Sequence, residues 1–145
     1  LMDMETDEAV CVIDLDTIMP GSALYDFGDS IRFGTNSGAE DEPDLTKVHF
    51  VPELFEAFCE GFLSEVVSTF TQAEIDNLAN SAIIMTLECG MRFLTDYLDG
   101  DVYFHTNRPG QNLDRTRTQF RLVEEMEAML PQLNETVKRI AAKYR

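Results

Sequence analysis

The chain has 145 residues, of which 44% are hydrophobic and 26% charged, enough for one globular domain with a real core and unlike a disordered or low-complexity chain. Its 27 acidic residues against 11 basic ones leave a net charge of −16, which excludes unaided binding to nucleic acid or to an anionic membrane surface, since both need basic patches. The same balance suits a chain that carries a divalent cation, although most of these charges read as solvated faces.

Cys11, Cys59 and Cys89 lack metal-ligand spacing and each sits in an apolar context, so three free, buried thiols are predicted. Without a disulfide framework or a secretory signal, the predicted location is the cytoplasm. No apolar run approaches the length of a membrane span.

Leu1–Met4 and Ala9–Ile13 alternate apolar residues around a polar turn, Glu5-Thr6-Asp7-Glu8, and predict a β-hairpin. Its second strand, Val10-Cys11-Val12-Ile13, is β-branched and apolar and reads as buried. It delivers two carboxylates at i and i+2, Asp14 and Asp16. Carboxylates at a strand end suit a hard cation beside a phosphate, because magnesium prefers oxygen ligands. Pro20-Gly21 then breaks the chain, and a helix is predicted from Tyr25, with Asp26 and Asp29 in its first turns.

Gly34–Asp44 is polar, with two glycines and a proline, and reads as a surface loop or a mobile lid. From Pro52 the period becomes helical, with Phe55, Phe58, Phe62 and Val66 on one face. Thr71-Gln72-Ala73-Glu74 is a capping box that opens one long helix to about Leu98, closed by Gly100. Ile75, Leu78, Ala82, Met85, Cys89 and Phe93 trace its expected buried side. Asn107-Arg108-Pro109-Gly110 is a turn. A helix from about Asn112 to Leu130 follows, with Leu113, Phe120, Val123 and Met126 inward. Pro131 is expected to break or restart it before a last amphipathic helix carrying Leu133, Val137, Ile140 and Ala141. The fold class is therefore mainly α, one domain over residues 1–145, an N-terminal β-hairpin followed by a helical bundle.

Asp14-Leu15-Asp16 admits three chemistries. Asp-Leu-Asp-Thr after an apolar strand resembles the nucleophile motif of haloacid-dehalogenase-like phosphatases, and Asp-x-Asp resembles the metal motif of some glycosyltransferases. Both folds need further strands, and this pattern supplies helices. The whole arrangement resembles the C-terminal lobe of the aminoglycoside phosphotransferase and choline kinase group, a protein-kinase-like fold. Val12-Ile13-Asp14-Leu15-Asp16 stands at the place of its metal aspartate, and Leu24-Tyr25-Asp26 at that of the following helix. The longer strings Ile13–Gly21, Asp26–Phe33, Arg92–Leu98, Asp101–Phe104 and Asn112–Gln119 resemble the N-acetylhexosamine 1-kinases more narrowly.

The resemblance implies an ATP- and Mg2+-dependent phosphotransferase whose Asp14, and in a second place Asp16, hold the metal. It implies that Asp26 braces the catalytic loop, and that Phe33, Arg92 and Tyr103 contact the sugar. Taken alone, those three read as a core aromatic, a helix salt-bridge residue and a packing residue. The chain has no Gly-rich phosphate loop, strand lysine or His-x-Asp-x-x-x-x-Asn loop, all of which phosphoryl transfer of this kind uses. The expectation is a C-terminal portion of a longer enzyme, inactive by itself, with the base upstream. Its partners would be a sugar and a nucleotide, and the surface meant for the upstream portion would favour self-association. A kinase for another small alcohol, or a non-catalytic acidic helical module, remains open. His49 and His105 lack the spacing of a triad or a metal site and read as ordinary loop residues.

Overall fold

The computed structural model describes residues 1–16 and 18–145. The fold is mainly helical: α1 (Ala23–Gly34), α2 (Pro52–Val66), α3 (Gln72–Asp76), α4 (Leu78–Asp99) and α5 (Gln111–Tyr144). No helix among the described residues is long and apolar enough to cross a membrane.

α4 lies at the centre, packed on α1 along one side and on α5 along another, and α2 and α3 lie against α5. Two glycines set the close approaches. A Cβ on Gly28 would stand 2.6 Å from the Ser81 carbonyl oxygen, and one on Gly90 would stand 2.8 Å from the Phe120 ring. Phe27, fully buried on α1, meets Phe55, Phe58 and Phe62 of α2 at centroid distances of 5.9, 5.7 and 5.3 Å. The buried centre of α2 runs through Phe55, Cys59 and Leu63, spaced i, i+4, i+8. The aromatic stripe therefore lies to one side of the true seam, and Phe58 and Phe62 form its edge.

The predicted hairpin region contains one antiparallel bridge, Met2↔Ala9, flanked by Asp3 N–H to the Glu8 carbonyl (2.9 Å) and Val10 N–H to the Leu1 carbonyl (3.0 Å). The Asp3 carboxylate accepts from Glu5 and Thr6 N–H and closes the turn. Val10, Val12 and Ile13 are exposed rather than buried. An isolated strand pair with nothing on its apolar face gains little from extending its ladder.

Three helix boundaries differ from the sequence expectation. Capped by Thr71 and Glu74, α3 ends after one turn, because Asn77 leaves helical geometry (φ −107°, ψ 3°) and its side-chain amide donates to the Ala73 carbonyl. α4 then starts afresh at Leu78. Conversely, α5 runs unbroken through Pro131, whose ring faces solvent. Leu122 and Met126 before it and Leu133 and Val137 after it are buried and anchor both halves of the helix in the core. Phe120 is partly exposed over Gly90. Cys11 is exposed and Cys89 half-buried, so only Cys59 matches the expected burial.

Candidate functional site

α1, α4, the 101–110 turn and the start of α5 enclose an open cleft of about 820 Å3. α1 contributes Asp26, Asp29 and Arg32, whose side chains project there because Phe27, Gly28 and Ile31 occupy the opposite face against α4 and α2. α4 contributes Glu88, Cys89, Arg92 and Phe93. Arg115 of α5 and Glu40 of the 35–51 segment complete the floor.

Charges in this cleft are largely paired. Arg32 donates Nε to Asp29 Oδ1 (2.8 Å) and Nη1 to Glu40 Oε1 (2.9 Å). Glu40 also faces Arg115 Nε at 3.7 Å, beyond hydrogen-bond distance, so one carboxylate lies between guanidiniums from two helices. Arg115 further donates to Asn112 Oδ1 (2.8 Å) and the His105 carbonyl (3.2 Å), and its guanidinium lies 5.4 Å from the Phe93 ring centre. Burial is the largest influence on Arg32 and opposes its charge, yet the bonds from Asp29 and Glu40 raise its pKa overall. Arg92 pairs loosely with Glu88 (3.8 Å). Asp26 has no ion-pair partner among the described residues.

Asp96 holds the adjoining turn. Its carboxylate accepts from the backbone N–H groups of Val102 (2.9 Å), Tyr103 (2.7 Å) and Phe104 (3.0 Å), and from the Asn112 amide (2.8 Å). Burial acts most strongly and pushes the Asp96 pKa up, but the four donors outweigh it and hold the carboxyl below its ordinary range. Gly100 (φ 94°) and Asp101 (φ 58°) supply the left-handed residues that let the chain curl back over Asp96. The turn thereby sets Tyr103 and Phe104 beside Arg92, with the guanidinium 5.8 and 5.4 Å from their ring centres.

The sequence-predicted residues separate into groups. Asp26 and Arg92 share the main cleft. Tyr103 joins Arg92 in an adjacent groove of about 440 Å3. Phe33 is 70% exposed, which excludes a core role, and it lines a separate pocket of about 190 Å3 behind Arg32 and Glu40. Asp14 and Asp16 lie exposed on the N-terminal segment, with Asp14 in the left-handed region (φ 63°), and neither lines the cleft. Among the described residues no group of three or more His, Cys, Asp or Glu is placed to hold a metal ion. Thr17, part of the same string, lies outside the described residues.

Sequence reasoning gave no role to Glu40, Arg115, Asp96 or Asn112. Burial of Asn112, Thr116, Thr118 and Gln119 on α5 shows their importance in the structure, because buried polar side chains need partners, but burial is not visible in the sequence. The 35–51 segment is also not a free lid. Arg108 and Gln111 hold Asp41, the Thr118 hydroxyl donates to the Glu40 carbonyl, and Glu125 accepts from Phe50 N–H. Gln111, Thr118 and Glu125 are spaced by seven residues, so the segment is a strap laid along one face of α5. No family model matches the chain.

Proposed function

We propose that this chain is the helical C-terminal lobe of a cytoplasmic, ATP- and Mg2+-dependent small-molecule phosphotransferase whose cleft takes a neutral sugar, an N-acetylhexosamine phosphorylated at its anomeric hydroxyl. The observation that carries the substrate side is charge pairing: Asp29, Glu40 and Glu88 each have a guanidinium partner in the same cleft. A polycationic acceptor such as an aminoglycoside finds one unpaired carboxylate there, Asp26. A neutral polyol finds guanidinium and carboxylate hydrogen-bonding groups side by side, with the half-buried Phe104 ring beside them.

Asp14 and Asp16 would hold the metal. Mg2+ commonly takes only one or two protein carboxylates, the remaining ligands being phosphate oxygens and water, so two acids are compatible with it. Bound there, the ion would neutralise charge on the transferring phosphoryl group. Arg92 would orient the acceptor, the Asp96-held turn would keep Tyr103 beside it, and Asp26 would brace the catalytic loop of the upstream portion. Positioning of this kind is most of what phosphoryl transfer asks of a protein. The upstream kinase portion implied by the resemblance would supply the base for the hydroxyl proton.

Two measurements test this reading. Saturation-transfer NMR on the 145-residue chain should detect N-acetylglucosamine or N-acetylgalactosamine, weakened in Arg92→Ala, with no signal from kanamycin or choline. ADP release by a polypeptide extended upstream should depend on the acetylated sugar and on Mg2+, and fall at least 100-fold in Asp14→Asn, on the scale of losing a principal electrostatic contact. Normal turnover in Asp14→Asn refutes the metal assignment. Release only with another alcohol keeps the kinase and discards the sugar. A second reading, a non-catalytic interaction module, draws on the exposed apolar stripe Ile84, Leu87 and Met91 of α4, and silence in both assays would favour it.

A further inference from the structure

His49 sits near the end of the strap with both ring nitrogens against acceptors. Nδ1 lies 3.1 Å from Glu125 Oε1 of α5, and Nε2 lies 2.9 Å from the Thr46 carbonyl oxygen of the short 3-10 turn Leu45–Lys47. A neutral imidazole has one N–H and one lone pair. Whichever tautomer it adopted, one nitrogen lone pair would face an oxygen at hydrogen-bond distance. Only the imidazolium donates to both.

We propose that Thr46, His49 and Glu125 form a proton-operated clamp: protonated His49 ties the 45–47 turn of the strap to α5, and loss of that proton releases the turn. The surrounding charges favour closure near neutral pH. Glu125 faces the ring from α5, and its hydrogen bond is the largest of the influences that raise the His49 pKa. Arg121, also on α5, opposes it, but Arg121 is engaged with Glu125 Oε1 (2.7 Å) and Glu124 Oε2 (3.0 Å). Within the strap, Lys47 is drawn toward Glu42 (3.6 Å) and Asp44 (3.8 Å).

Release is local. Val48 and Phe50 remain buried, Phe50 N–H keeps its bond to Glu125 Oε2 (2.7 Å), and the Ser37 hydroxyl still accepts from His49 N–H. What is lost is the side-chain link between the turn and α5, so the amides of Lys47 and Val48, bonded to the Asp44 and Leu45 carbonyls, report it. The clamp acts on the same strap that brings Glu40 into the cleft, and it does not depend on the kinase reading.

The test is an NMR titration of the 145-residue chain from pH 5 to 9. It follows the His49 ring and the amide exchange of Lys47 and Val48, corrected for intrinsic base catalysis. The His49 midpoint should lie above the ~6.5 of an unperturbed imidazole, and should fall by at least half a unit in Glu125→Gln. Protection of the two amides should drop at least threefold across that midpoint, with α5 core amides unchanged. In His49→Gln the drop should vanish. A midpoint at or below 6.5, or a protection loss that persists unchanged in His49→Gln, overturns the clamp.

Discussion

Asn112, in the first turn of α5, donates its side-chain amide to Asp96 Oδ2 of α4 (2.8 Å) and to Asp101 Oδ1 of the intervening turn (2.9 Å). One amide thus fastens two helices and the loop between them. Asp96 completes the arrangement by collecting three consecutive backbone N–H groups.

Replacing Asp96 by Asn should therefore lower the thermal midpoint at pH 7 more than Asp99→Asn, a change at an exposed position one turn on. An amide oxygen can serve some of the donors, but its NH2 would face others, leaving buried N–H groups without acceptors. The pH dependence has a definite sign. A carboxyl held below its unfolded pKa contributes stability that is fully present above that value and is lost as pH falls through the folded pKa. The gap between the native chain and Asp96→Asn should be full above about pH 5 and shrink below about pH 4. A gap independent of pH would mean that Asp96 acts through shape alone. Thermal scans at pH 3, 4, 5 and 7 decide it.

The four glycines that lie in helical segments divide into two classes. Gly28 and Gly90 stand where helix backbones or rings approach within van der Waals contact, whereas Gly34 and Gly61 have open space around them. Gly28→Ala and Gly90→Ala should each destabilise by about 1–3 kcal/mol, the usual cost of overpacking. Gly61→Ala should instead stabilise by about 0.5–1 kcal/mol, since alanine loses less backbone freedom in a helix. Urea unfolding with unchanged m-values checks both signs. If all three alanines stabilise, α4 does not pack against α1 and α5 as closely as described.

Much of this architecture was legible in the sequence. The helices α2, α4 and α5, the Thr71–Glu74 capping box and the Gly100 stop follow from local chemistry and appear, whereas the buried face of α2 runs through Phe55, Cys59 and Leu63 and Phe120 of α5 is exposed. The failures have a common cause. A β-branched run such as Val10–Ile13 forms a buried strand only if something covers it, and coverage is a tertiary fact. Pro131 reads locally as a helix interruption, but α5 continues through it with buried residues anchored on either side. The cleft residues were least legible. Asp26 and Arg92 are brought together by α1 crossing α4, whereas Glu40 reaches Arg32 and Arg115 only because the strap is pinned along α5. No local pattern around Glu40 announces that contact.

Pro131 should be dispensable to the fold and costly to it. It cannot donate to the carbonyl four residues earlier, and its ring crowds that carbonyl. Pro131→Ala restores the donor at an exposed position, so it should stabilise the chain by about 1–3 kcal/mol. Circular dichroism should show helix content equal to or above that of the native chain, with a raised thermal midpoint. A fall in stability would indicate that the proline sets a bend on which the packing of Leu133 and Val137 depends.

Thiol labelling should resolve the three cysteines by rate. Cys11 is exposed on the N-terminal segment, Cys89 is half-buried at the cleft, and Cys59 is fully buried between α2 and the core. Burial pushes the Cys59 thiol up to about 12, with Arg139 opposing and Glu56 and Glu60 assisting, so its thiolate is scarce at neutral pH. Burial likewise raises Cys89, against the pull of Arg32. With Ellman's reagent at pH 8, the native chain should release one equivalent quickly, from Cys11, and a second slowly. The third should come only on unfolding in guanidinium. Cys11→Ser should abolish the fast phase. A cleft ligand should slow the second phase and leave the first unchanged, which turns Cys89 into a binding reporter that does not depend on turnover. If the second phase is as fast as the first, the α1–α4 cleft is more open than the Arg32–Glu40–Arg115 pairing implies. If ligand slows both native phases alike, the protection is global rather than local to the cleft.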